Sequence, residues 1–112
     1  MYSIFHTRKF DRELDKDFSH AEREEVDNIE RKQLKENPYV GDPLGFQFFR
    51  EKKIGGKRVY YLIYEDLKAV LMIAVSDKKT QQATINEIRS HLKEYYEVVK
   101  EAIKQHDEYG HV

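Results

Sequence analysis

The run from Arg50 to Val75, REKKIGGKRVYYLIYEDLKAVLMIAV, limits what this chain can fold into. Two apolar stretches, Val59–Tyr64 and Leu67–Val75, flank the polar pair Glu65-Asp66, and Gly55-Gly56 lies ahead of them. β-branched and aromatic residues dominate both stretches, the composition of strands. The pattern predicts three consecutive antiparallel strands, at about Phe46–Lys53, Val59–Tyr64 and Leu67–Val75. On the first, Phe48, Arg50 and Lys52 share one face, with Gln47, Phe49, Glu51 and Lys53 on the other. On the second, Arg58, Tyr60, Leu62 and Tyr64 oppose Val59, Tyr61 and Ile63. On the third, Ala69, Leu71, Ile73 and Val75 oppose Val70, Met72 and Ala74. The last two strands are apolar on both faces, so the sheet needs cover on both sides or a partner on one. Gly55-Gly56 reads as a hairpin turn requiring positive φ. It is not a phosphate loop, whose spacing needs a glycine where Glu51 stands.

The rest of the chain reads as one further strand and helices. Tyr2–Thr7 starts a short strand. Phe10, Leu14 and Phe18 recur every four residues, the stripe of a short helix. Ser19 opens a capping box closed by Glu22. A second helix then runs to about Asn37 with a thin stripe of Ala21, Val26, Ile29 and Leu34. Its Glu, Arg and Lys residues form a solvated face. Asn37-Pro38 stops it, and Tyr39–Gly45 is a loop. After the polar loop Ser76–Thr80, a long helix is expected over 81–105. Ile85, Ile88, Leu92, Tyr95 or Tyr96, Val99 and Ile103 give it a seam like that of a coiled coil. At 1.5 Å per residue it extends about 37 Å, so part of it should protrude or pack on another chain, a second copy included. His106–Val112 is expected to be frayed. The expected class is α+β, one domain over 1–112, in the order β-α-α-β-β-β-α.

Charge is unevenly spread. The net charge is −1. Residues 1–45 carry 8 basic against 11 acidic side chains, residues 46–80 carry 8 against 4, and residues 81–112 carry 4 against 6. A locally positive strand region on a near-neutral protein suits a polyanion. Cations that keep exposed strand edges from pairing explain it as well. There is no cysteine, hence no disulfide framework or thiolate zinc site. His6, His20, His91, His106 and His111 form no HExxH and no i, i+4 pair, so no metal or other cofactor is expected. No run is long enough for a membrane span and no signal peptide is evident. The expected compartment is the cytoplasm.

One chemistry fits the cations. RNA can be cut without metal when its own 2′-hydroxyl attacks the adjacent phosphorus and cations stabilise the charge on the non-bridging oxygens. An arginine fork suits those oxygens, and a tuned lysine or tyrosine can move protons. Arg58, Lys53, Lys57, Lys78 and Lys79 are candidates to meet at one end of the sheet. Solubilising charge at hairpin ends is the alternative.

The order of elements resembles the RelE/ParE superfamily of toxin–antitoxin proteins. The resemblance rests on Asn37-Pro38 leading to Gly41-Asp42-Pro43-Leu44, on Arg50, on Lys53–Tyr61 (KIGGKRVYY), and on Val70–Val75 followed by Ser76-Asp77-Lys78-Lys79; it covers about residues 2–90. It implies a toxin held inactive by a cognate antitoxin encoded beside it. RelE-like members cut mRNA on the ribosome without metal, whereas ParE-like members bind a protein target. Carried over, Arg58 is the arginine on the scissile phosphate, Lys53 a basic position on the strand before, and Lys78 or Lys79 the cation after the last strand. Arg50, Lys52, Lys57 and Tyr60 are the expected substrate contacts. Two positions depart from the pattern: Glu51 stands where a second basic residue is usual, and Gln81-Gln82-Ala83 replaces an aromatic residue. Three functions follow: an mRNA endonuclease, a binding toxin without nuclease activity, and a module that dimerises through its last helix. An antitoxin is expected over the sheet or across the helical layer, burying apolar residues left bare. The endonuclease reading requires the Arg58 guanidinium to lie near Lys53 and Lys78 and not to be buried against an internal carboxylate.

Overall fold

The computed structural model describes residues 1–109, with side chains to 105. Its elements are β1 (Ser3–His6), α1 (Arg8–Asp17), α2 (His20–Ile29), β2 (Asp42–Pro43), β3 (Phe49–Ile54), β4 (Lys57–Tyr64), β5 (Ala69–Asp77), α3 (Gln81–Arg89) and α4 (Leu92–Tyr109). The α+β class and the meander β3-β4-β5 agree with the sequence reading. The sheet order is β1-β5-β4-β3-β2. Its outer strand β1 runs parallel to β5, so the sheet is mixed rather than wholly antiparallel.

Both faces of the sheet are covered by the chain's own helices. Phe10, Phe18, Val26, Ile29 and Leu34 of the first helical layer pack on Val59, Tyr61, Ile63, Val70 and Met72. Ile85, Ile88 and Val99 of the second pack on Phe49, Tyr60, Leu62, Leu71 and Ile73. Burying one such side chain is worth about 1.5–3 kcal/mol, so each layer has strong reason to stay. Of the two expectations for the sheet, cover on both sides holds; a bare sheet face for an antitoxin is corrected, which leaves the helical layer as the alternative place for it. Among the described residues, the large apolar side chains left exposed are Met1, Tyr39, Val40, Phe46, Phe48 and Val98.

Several details differ from the expectation, among them a short strand β2 inside the expected loop Tyr39–Gly45, β4 from Lys57 and β5 over Ala69–Asp77. Phe46–Phe48 precede β3 instead of belonging to it. The alternation in β5 slips after Ile73, because the register shifts between Tyr60 and Tyr61; Ala74 and Val75 therefore exchange faces. Such a bulge inserts one residue against the partner strand. The second helix ends at Ile29 and widens into a π turn over Glu30–Leu34. Ala21 is exposed and adds nothing to the stripe. The long terminal helix is two helices. Ser90 Oγ donates to the Glu87 carbonyl at 2.7 Å, a local bond that competes with the helical ladder, and α4 restarts at Leu92. The break lets the expected seam curve onto the sheet: Ile85, Ile88, Leu92, Tyr95, Val99 and Ile103 all join the second core. The seam is thus committed within the chain, which removes the reason for a dimer through it. α4 continues past the expected end to Tyr109, and 110–112 of the expected loose tail lie outside the described residues.

The expected caps form. Ser19 accepts from the Glu22 amide at 3.1 Å, and the Glu22 carboxylate accepts from the Ser19 amide at 2.8 Å. Gly55 has φ +60° in the hairpin turn, a value glycine adopts without strain.

Candidate functional site

The Gly55-Gly56 turn fixes the register of β3 against β4, and that register assembles the site. Ile54 pairs with Lys57, Lys53 with Arg58, and Glu51 with Tyr60; Arg58 in turn pairs with Ser76 of β5. Lys53, Arg58 and Ser76 therefore form one line across three strands, with Glu51 and Tyr60 beside it on the same face. Lys78 and Lys79 follow in the exposed loop before α3.

Arg58 is not the open cation expected from the sequence. It is 8% exposed, and its Nε lies 3.5 Å from Oε1 of Glu51, itself 3% exposed. Arg58 is thus buried against an internal carboxylate, and the grip of three free cations read from the sequence does not form. Glu51 Oε1 also accepts a 2.7 Å hydrogen bond from Nε2 of Gln81, the first residue of α3. Arg58 Nε makes no hydrogen bond, and Nη1 donates to the Gly56 carbonyl at 3.3 Å.

The other candidates divide into structural and free. Tyr60 is fully buried and shares a 2.7 Å hydrogen bond with Ser76 Oγ. Burial raises its phenol pKa, so it is a poor proton carrier at neutral pH. Lys57 donates to Glu22 at 2.9 Å and to the Asp17 carbonyl, tying the hairpin to the first helical layer. Arg50, 7% exposed, lies on the opposite face and binds the Tyr39, Gly41 and Gln47 carbonyls. Lys52 shares the Arg50 face and is half-buried. Lys53, Lys78 and Lys79 are exposed. The arrangement is a buried, partly compensated arginine paired with the exposed Lys53, with the exposed Lys78 and Lys79 in the loop that follows Ser76 and Asp77.

Two contributors were missed. In the sequence, Gln81 reads only as the absence of an aromatic residue, and Glu51 only as a lost cation. A two-residue turn at Gly55-Gly56 forces Lys53 opposite Arg58 and so puts Glu51 on the Arg58 face. That signal was in the sequence. Nothing in it reported that α3 begins over this face.

A cavity of about 480 Å³ between α1 and β5 borders the site at Ser76. Glu13, Asp17 and Asp77 line it around Lys57, a poor reception for a polyanion. No helix among the described residues is long and apolar enough to cross a membrane.

The architecture is that of the RelE toxins. An arginine-to-alanine double mutant of E. coli toxin RelE in the free state matches with TM-score 0.64 at 17% identity, covering 77% of this chain and 90% of that one. The toxin–antitoxin complex RelBE2 from Mycobacterium tuberculosis matches with TM-score 0.60 at 22% identity, covering 69% and 98%. The archaeal RelE-RelB complex from Pyrococcus horikoshii matches with TM-score 0.51 at 15% identity, covering 69% and 94%. At these identities the likeness defines the fold. No protein-family model matches the sequence, and no curated protein matches it.

Proposed function

We propose that this protein is the toxin of a toxin–antitoxin pair, and that it acts in the cytoplasm by seating mRNA of the translating ribosome on the rim formed by Lys53, Lys78 and Lys79. The observation that carries the reading is the RelE architecture with its excess of positive charge on the strands and on the loop that follows them. Its natural inhibitor is a cognate antitoxin that covers this rim. In the side-chain arrangement described above, binding is better supported than cutting, because Arg58 faces Glu51 and Tyr60 is fully buried. Induced expression tests the toxin reading. Growth arrest that is relieved by co-expressing the small protein encoded beside it supports the reading; unimpaired growth overturns it.

Cleavage of that mRNA, the alternative reading, is not favoured by this arrangement, because Arg58 is buried against Glu51. It requires the pair to open toward the substrate. Primer extension on mRNA from a translating extract separates the two: new 3′ ends that vanish in both Arg58→Ala and Glu51→Gln favour cleavage, and intact mRNA favours binding.

A further inference from the structure

Glu51 Oε1 is claimed from two sides. Gln81 Nε2 holds it at 2.7 Å from α3, while Arg58 Nε stands 3.5 Å away, too far for a hydrogen bond. The guanidinium is therefore attracted by charge but not satisfied in geometry. Its Nε is fully buried without an acceptor, and one 3.3 Å bond from Nη1 to Gly56 is the hydrogen bond it donates among the described residues. A buried donor left in that state is costly. Directly opposite stands Lys53, a second cation on the same face, and like charges directly opposite destabilise a strand pair. Two facing cations and one carboxylate held off by a third residue leave net positive charge, and an arginine edge without an acceptor.

We infer that Gln81 is a positioning residue that keeps Glu51 from closing on Arg58, so that Arg58 and Lys53 remain available to an incoming oxyanion such as a phosphate group. This rests on the RNA-directed reading for its biological ligand, but anion binding can be measured without it. Without Gln81, the Glu51 carboxylate turns onto Arg58 and forms the full two-bond pair that arginine and carboxylate favour. The site then shuts. Without the Glu51 charge, the arginine is free and the site opens.

The two variants therefore have opposite signs. Inorganic phosphate is titrated into the full chain while the side-chain Nε–H resonance of Arg58 is followed by NMR. Relative to wild type, Gln81→Ala should weaken phosphate binding about tenfold and Glu51→Gln should strengthen it about tenfold, each the worth of one charge-assisted hydrogen bond. In the Glu51→Gln background, Gln81→Ala should change nothing further. Unchanged or tighter binding in Gln81→Ala overturns the inference, as does phosphate binding by Arg58→Ala equal to wild type. Should Glu51→Gln fail to fold, Gln81→Leu repeats the test with Glu51 intact, and must weaken binding as Gln81→Ala does. Growth arrest has no part in the readout, so a failed toxin assay leaves this result standing, and the reverse holds too.

Discussion

Arg50 and Arg58 are almost equally buried, 7% and 8% exposed, near opposite ends of one hairpin and on its opposite faces. Arg50 donates four hydrogen bonds of 2.6–2.9 Å: to the Tyr39 and Gly41 carbonyls, and to both the carbonyl and the side-chain oxygen of Gln47. Its guanidinium also lies 5.2 Å from the centroid of the Tyr39 ring. Arg58 donates one long bond and lies near one carboxylate that is held by another residue. Burial alone therefore does not distinguish a structural cation from one kept for a ligand. The number of donors satisfied does. Arg50 ties the 39–47 loop to the sheet, whereas Arg58 is held in place by its surroundings with capacity left over.

Removing Arg50 should have the largest effect. Arg50→Ala leaves three loop carbonyls without their donor at roughly 1–3 kcal/mol each when buried. A loss on the order of 3–5 kcal/mol is expected in urea denaturation, enough to unfold a marginal domain. A loss below about 1 kcal/mol would erase the contrast with Arg58. Tyr61 shares the same support. Its hydroxyl donates to the Pro38 carbonyl at 2.7 Å and accepts from the Gly41 amide at 3.1 Å, and burial pushes its pKa to about 12. Tyr61→Phe should cost about 1–3 kcal/mol, and the Gly41 amide should exchange faster with solvent. At the other end, the double variant Arg58→Met with Glu51→Gln should lie within about 1 kcal/mol of wild type, since an imperfect buried ion pair contributes little against an uncharged replacement. A large loss there would make Arg58 as structural as Arg50.

How much of this could be read from the chain depends on the range of the interaction. The strands, the caps and the helical stripes rest on neighbours in sequence, and Val59, Leu62, Ile85 and Val99 lie in the cores that their spacing demanded. The bulge at Ile73 was not legible, because Ala74 and Val75 are both apolar and suit either face. The break at Ser90-His91 was hidden by a seam that continues in phase across it. Parallel pairing of β1 on β5 leaves no mark on four residues. The site was legible in its residue types but not in their pairing: Lys53 and Arg58 were placed correctly by the turn, while the arrival of Gln81 from α3 is a tertiary event.

The smallest predicted effect comes from an ionic cluster outside the hairpin, and it calibrates the comparison. His6 has Asp11 at 2.7 Å on Nδ1 and Glu30 at 2.8 Å on Nε2. Burial lowers its pKa, but hydrogen bonding and charge from Glu30 and then Asp11 outweigh it, and the folded value lies above the ordinary 6.5. The cluster therefore stabilises the fold fully below about pH 6.5, and loses that contribution as pH rises through the folded value. Wild type should become slightly less stable across that interval, while His6→Gln should show a flatter profile in parallel denaturation series. An identical slope in both would remove His6 as the source. The Arg50 and Arg58 variants should retain the wild-type slope.

The most direct test of the functional account is growth after induction of three chains: wild type, Arg58→Ala, and the triple variant Lys53→Ala, Lys78→Ala, Lys79→Ala. Wild type should arrest growth, Arg58→Ala should arrest it more weakly, and the triple variant should relieve it. Arrest that survives loss of all three lysines while the domain stays folded would contradict a toxin that works through its lysine rim.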